Sequence, residues 1–170
     1  MPVSDQGLSE DRYRLVPRTL IFLTRNGKVL LLKGASTKRL WPNRYNGVGG
    51  HIERGEDVLS AAYRELIEET GLHPPHLWLG GLITIDTGPD VGILVFVLRG
   101  ECPEGNPSPS PEGILEWVLF DDIQELPLVE DLYTILPHLL AKQPGEIPFS
   151  YHYSYDEKGQ LMINQACPSP

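Results

Sequence analysis

Apolar residues in this chain fall into short blocks, and the spacing within each block predicts its element. Residues 18–23 and 28–32 are almost continuously apolar, with Asn26-Gly27 between them. Asn-Gly between two apolar runs is a strong hairpin signal, and unbroken apolar runs suit strands covered on both faces. Residues 34–44 form a polar loop containing Trp41-Pro42, and Tyr45-Asn46-Gly47-Val48-Gly49-Gly50 follows it. Asp57 is then placed to cap a helix that closes on Gly71, with Leu59, Ala62 and Leu66 as its buried stripe and Ile67 roughly opposite. Beyond the stop at Pro74-Pro75, residues 78–87 and 91–99 read as strands joined near Gly88-Pro89-Asp90. Residues 101–111, rich in Pro, Gly and Ser, read as an exposed loop. A short strand over 115–120, a helical turn at Asp121-Asp122 and a helix over 130–140 come next. Phe149, Tyr151, Tyr153 and Tyr155 alternate with polar residues, and a return strand at 161–163 completes a predicted C-terminal hairpin over 146–165. Residues 1–13 are polar and expected to be loosely ordered. Five to eight strands and two principal helices make an α+β domain spanning the whole chain.

The first helix carries the chemistry. Glu65, Glu68 and Glu69 stand at i, i+3 and i+4, so a helix presents them on one face beside the apolar stripe. Neighbouring carboxylates repel one another unless a cation sits among them. Hard divalent cations such as Mg²⁺ prefer oxygen ligands of this kind and accompany phosphates. The stretch over 50–72 reads as a metal–phosphate site.

That stretch resembles the Nudix box. Gly50, Glu56, Arg64, Glu65, Leu66, Glu68, Glu69, Gly71 and Leu72 occupy all nine specified positions of the motif at its spacing. The resemblance implies an α/β/α sandwich with a mixed central sheet, a box helix and a C-terminal helix. It also implies Mg²⁺- or Mn²⁺-dependent hydrolysis of a nucleoside diphosphate linked to another group. By residue-to-residue carry-over, Glu65, Glu68 and Glu69 look like metal ligands, joined by the Gly50 carbonyl, while Arg64 and Glu56 look like a brace for the helix and its loop. Several members use a further glutamate outside the box as metal ligand or general base. Glu112, ahead of Trp117, is similar in setting to that residue, with Glu53 and Glu116 as competitors.

The segment leading into the box is similar to that of 8-oxo-dGTP diphosphatases, which implies Asn46 as a reader of the purine edge; turn chemistry beside Gly47 is its other reading. The same group places acids ahead of the last helix, here Glu130 or Asp131, although Val129 and Leu132 depart from its pattern. Trp41 is the better candidate for stacking on a base, since Trp117 lies in an apolar strand. The most fitting activity is conversion of a nucleoside triphosphate to monophosphate and pyrophosphate, with oxidised purine dNTPs as one substrate class. ADP-ribose, dinucleoside polyphosphates or nucleotide sugars are the alternative substrates, and a non-catalytic nucleotide sensor is the alternative from another class. An isopentenyl-diphosphate isomerase would need a cysteine near the pre-box segment, and neither Cys102 nor Cys167 lies there.

Charge sharpens this picture. The 170 residues carry a net charge of −9, which disfavours nucleic-acid polymers and anionic membranes. Residues 1–54 hold ten Lys and Arg against four Asp and Glu, whereas the remainder holds four against nineteen. Lys33, Lys38, Arg39, Arg44 and Arg54 cluster before and inside the box, where cations would face a small polyphosphate. No secretory or membrane-spanning segment is evident, and two cysteines without metal-type spacing fit a reducing cytoplasm. Family members are often homodimers, so a homodimer is one expectation. The five histidines have no ligand-like spacing.

Overall fold

A computed structural model describes residues 2–7, 9 and 11–165. Its centre is a mixed sheet. β1 (Arg14–Arg25) and β2 (Lys28–Gly34) form the Asn26-Gly27 hairpin, and both turn residues have positive φ, at 47° and 72°. β1 also pairs in parallel with β5 (Val91–Glu101), in register from Arg14 opposite Val91 to Thr24 opposite Glu101. β4 (Leu77–Asp86) lies antiparallel to β5, and the C-terminal hairpin of β7 (Phe149–Tyr155) and β8 (Leu161–Gln165) joins β4 through a parallel β7. The order is β3-β2-β1-β5-β4-β7-β8, with β6 (Gly113–Leu119) added on β2 and β3 (Tyr45–Asn46) reduced to two residues. At the N-terminus, Val3–Gln6 form a single 3₁₀ turn. Cys167 lies outside the described residues.

Helices cover both faces of the sheet, which is why β1 and β2 read as unbroken apolar runs. Phe22, Val29, Leu31 and Val97 pack toward α2 (Leu132–Ala141), with its buried Leu132, Ile135, Leu136 and Leu139. Their chain neighbours Ile21, Leu23, Leu30 and Leu98 pack on the other side, toward α1 (Val58–Thr70), with Ala62 and Leu66. Strand alternation thus fills two cores from one sheet. This is the expected α/β/α arrangement. No helix of the described residues is long and apolar enough to cross a membrane.

Both ends of α1 are fixed locally. Asp57 accepts the N–H groups of Leu59 and Ser60 at 2.9 and 3.0 Å, and Gly71 closes the helix at φ 69°, its N–H on the Ile67 carbonyl. One detail of the predicted stripe is corrected. Leu59 is 45% exposed, and Ala61, Ala62, Leu66 and Thr70 are the buried residues. Two adjacent alanines let the helix approach the sheet closely, and this rotates Leu59 outward. Replacing Asp57 with Ala should lower the urea midpoint of unfolding, whereas Asp57→Asn should hold it near wild type; an unchanged midpoint in Asp57→Ala would show that water caps the helix equally well.

Candidate active site

The site is built where β1 and β2 splay apart. Their direct pairing covers only Thr24–Val29 and Arg25–Lys28. Residues 45–51 fill the gap beyond it: Tyr45 and Asn46 pair with Lys33 and Leu32 of β2, and Val48 and His51 bridge to Ile21 and Arg18 of β1. Residues 126–129 are tied to the same wedge, with the Tyr45 N–H on the Pro127 carbonyl at 3.0 Å and the Val129 N–H on the Tyr45 carbonyl at 3.0 Å. The start of α2 is thereby brought beside Asn46. Two glycines let the wedge pass under α1. A Cβ at Gly49, whose φ is 149°, would sit 2.2 Å from the Thr19 carbonyl oxygen, and one at Gly50 would meet the Glu65 carboxylate at 2.4 Å.

Arg64 organises the acids of the box. Its Nε and Nη2 form a bidentate pair with Glu56 at 2.6 and 2.9 Å, and Nη2 also donates to the His51 carbonyl at 3.1 Å. Nη1 reaches Glu65 at 2.9 Å and Glu68 at 3.3 Å. The guanidinium beside Glu56 holds that carboxyl down to about 2, so it is ionised throughout the neutral range. The loop before the helix is therefore fastened to the helix through one guanidinium.

A cleft of about 720 Å³ runs along this site. Glu65, Glu69 and Glu112 line it, as do Asn46, Trp41 and Asp131. Glu69 Oε2 is buried without a hydrogen-bond partner, and burial, followed by the charges of Glu112 and Glu65, pushes this carboxyl up to about 7. Glu112 is ion-paired with Lys38. Asn46 Oδ1 accepts the Gly47 N–H at 2.8 Å, so its turn role is real, while the residue also faces the cleft. Asp131 receives the Tyr153 hydroxyl at 3.3 Å, and burial raises its pKa. Apolar Ile85, Ile93 and Val95 supply the floor.

Not every expected residue is gathered here. Glu68 does not line the cleft; its side chain is 60% exposed and turned to Arg64. Lys33 lies with its ammonium 5.4 Å from the centre of the Tyr45 ring, because Leu32 faces the loop side and the next residue of a strand points the other way. Glu116 is occupied by the Tyr45 hydroxyl at 2.5 Å, so of the three candidates for the further glutamate Glu112 and Glu53 line the cleft. Trp117 packs with the core under α1 and carries the Arg25 guanidinium 4.0 Å above its ring. The Gly50 carbonyl already accepts the Thr19 N–H at 2.9 Å, with a second lone pair left. Arg18 was not expected. It lines the cleft with its Nε buried and unpartnered, and the only signal was a charged residue inside an apolar strand.

The donor set fits a hard divalent cation: carboxylate oxygens line one cleft, one of them is orphaned, and burial together with their mutual repulsion raises a pKa that a cation would lower. The acids line the cleft without converging on one point, and among the described residues no three His, Cys, Asp or Glu side chains form a ready metal-holding group.

A family model for the NUDIX domain matches residues 14–139. The chain belongs to the Nudix family. This Nudix chain is 31% identical to the oxidized purine nucleoside triphosphate hydrolase of Danio rerio over 126 residues, spanning 74% of the chain and 80% of that protein. Its identity to the Mus musculus protein of the same name is 28% over 145 residues, 85% and 89% of the two chains. Among solved structures, the MutT protein of Bacillus halodurans superposes with a TM-score of 0.75 at 27% identity, over 92% of this chain and all of that one. The Nudix chain is a pyrophosphohydrolase, and Nudix hydrolases generally use divalent metal ions.

Proposed function

We propose that this enzyme hydrolyses purine nucleoside triphosphates, oxidised ones foremost, to monophosphate and pyrophosphate, with Mg²⁺ (or Mn²⁺) as the resident metal. One observation carries the reading: a single cleft joins Glu65, Glu69 and Glu112 to a recess with an apolar floor and two polar groups, Asn46 and Asp131. The names of the Danio rerio and Mus musculus relatives support the same substrate class.

When bound, the divalent cation neutralises charge on the non-bridging phosphate oxygens. Glu65, Glu69 and Glu112 hold it, with the Gly50 carbonyl as a further oxygen and Glu68 drawn in from the rim. Arg64 fixes Glu65 in place through Nη1. Glu112 takes the proton of the attacking water as the new phosphorus–oxygen bond forms and the anhydride bond breaks. At the other end, the Asn46 amide donates to and accepts from the base edge. Asp131, whose pKa burial raises, presents its carboxyl to the base edge from the same recess.

A product-resolved turnover assay with Mg²⁺ tests this, using dGTP, 8-oxo-dGTP, dCTP, ADP-ribose and diadenosine tetraphosphate at equal low concentration. Pyrophosphate released fastest from 8-oxo-dGTP is the expected result; preference for ADP-ribose or the dinucleotide would discard the base-pocket reading. Asn46→Ala should raise KM for purine triphosphates by about ten-fold, the scale of one lost hydrogen bond to a base edge, and change dCTP little. An equal effect on dCTP would assign Asn46 to the turn alone. A cytoplasmic location and a homodimer complete the proposal, and light scattering reads the second.

A further inference from the structure

Arg18 lines the cleft, yet the reaction described above gives it nothing to do. Its place follows from strand alternation. Leu20 and Phe22, two and four residues further along β1, pack on the α2 side of the sheet, so Arg18 projects to that side as well. There it stands opposite Val95 of β5, which with Ile85 and Ile93 makes the apolar floor of the recess. Ile85 pairs in turn with Tyr153 of β7, whose hydroxyl meets Asp131. Arg18 thus borders the end of the cleft that takes the base, whereas α1 covers the other face of the sheet. No partner occupies it. Among the described residues its side chain makes no ion pair or hydrogen bond, and its Nε is buried without an acceptor. A buried N–H left unpaired costs free energy, and the three floor residues have no side-chain acceptor to offer.

We propose that Arg18 is a specificity-determining residue, which donates to the oxygen at position 6 of the base and so selects 6-oxopurine over 6-aminopurine nucleotides. The inference rests on the base-recess reading above. A guanidinium donates at every nitrogen and accepts at none, so it tells a carbonyl oxygen from an amino group. Guanine carries O6 at that position, and adenine carries an amino group. Asn46 and Asp131 have acceptor oxygens for the N1–H and N2 amino donors that lie beside O6. 8-Oxoguanine keeps O6, so selection at position 6 is independent of oxidation at position 8.

Calorimetric titration with four deoxynucleoside monophosphates in Mg²⁺ tests this without turnover. The bases are guanine, hypoxanthine, adenine and 2,6-diaminopurine, which vary positions 6 and 2 separately. Wild-type protein should bind the two 6-oxo nucleotides about ten-fold more tightly than the two 6-amino ones, as expected for one charge-assisted contact to a base. Arg18→Met should raise Kd for the 6-oxo pair by about that factor and change the 6-amino pair little, which closes the gap. Arg18→Lys, with one donor head in place of the fork, should recover part of the selectivity. Thermal melts of both variants should match or exceed wild type, since the group removed has no partner in the protein. Wild-type protein that binds none of the four, or binds both pairs alike, would overturn the proposal. So would an equal loss for all four in Arg18→Met, which would place the guanidinium on the phosphate or sugar. If no triphosphate is hydrolysed but the Arg18→Met effect follows position 6, the base contact stands and the hydrolase reading falls. If triphosphates are hydrolysed and the four nucleotides respond alike, the reverse holds.

Discussion

Glu69→Gln is expected to lower kcat by about a thousand-fold, or about 4 kcal/mol of barrier, while leaving the fold intact. The reason lies in what this carboxylate lacks. Its Oε2 is buried with no partner, between Glu65 and Glu112, and its pKa is pushed up to about 7 by burial and by those charges. A group held in that way contributes nothing to the protein's own stability, since burying an unpaired charge is costly. Neutralising it relieves repulsion, so the melting temperature of metal-free Glu69→Gln should equal or exceed that of wild type. Adding Mg²⁺ should raise the melting temperature of wild type, because a ligand that binds only the folded state stabilises it by mass action. The same addition should leave Glu69→Gln almost unmoved. Turnover within about three-fold of wild type, or equal stabilisation by Mg²⁺, would remove Glu69 from the metal site.

Elements whose causes are local were legible in the sequence. The Asn26-Gly27 hairpin and the Asp57 and Gly71 caps follow from single residues, and they appear where the residues predict them. Burial on both faces was legible too, because β1 and β2 are apolar without alternation. What sequence could not supply is the insertion of residues 45–51 between β1 and β2, since that register depends on strands far apart in the chain. The site inherits this limit. The charge of Lys33 suggests a phosphate contact, yet the pairing of β2 with β3 turns it onto Tyr45. Arg18 reads in the sequence as the start of an apolar strand, yet the bridge to His51 sets it in the cleft. Leu59 failed for a related reason: helical period finds a stripe, but which edge of the stripe meets the sheet is decided by the small Ala61 and Ala62.

Adjacent glycines should separate fold from function. At Gly49, φ is 149° and an added Cβ would lie 2.2 Å from the Thr19 carbonyl oxygen and 2.8 Å from its carbon. Those atoms belong to the backbone of the central strand β1 and cannot give way cheaply. Gly49→Ala should therefore destabilise the protein by about 1–3 kcal/mol, the usual range for a residue forced into a sparsely populated conformation. At Gly50 the three atoms nearest an added Cβ all belong to the end of the Glu65 side chain, at 2.4, 2.5 and 2.7 Å. That carboxylate is held by Arg64 Nη1 and can swing aside, so Gly50→Ala should melt near the wild-type temperature. The displacement moves Glu65 by about the distance that costs a hundred-fold in well-aligned sites, and kcat should fall by about that factor. The two variants should thus lose different properties although one peptide bond separates them. Denaturant unfolding and Mg²⁺-dependent turnover, measured on both, decide the matter: a Gly50→Ala enzyme with wild-type kcat would show that the observed position of Glu65 is not needed for turnover, and Glu65 would leave the metal set.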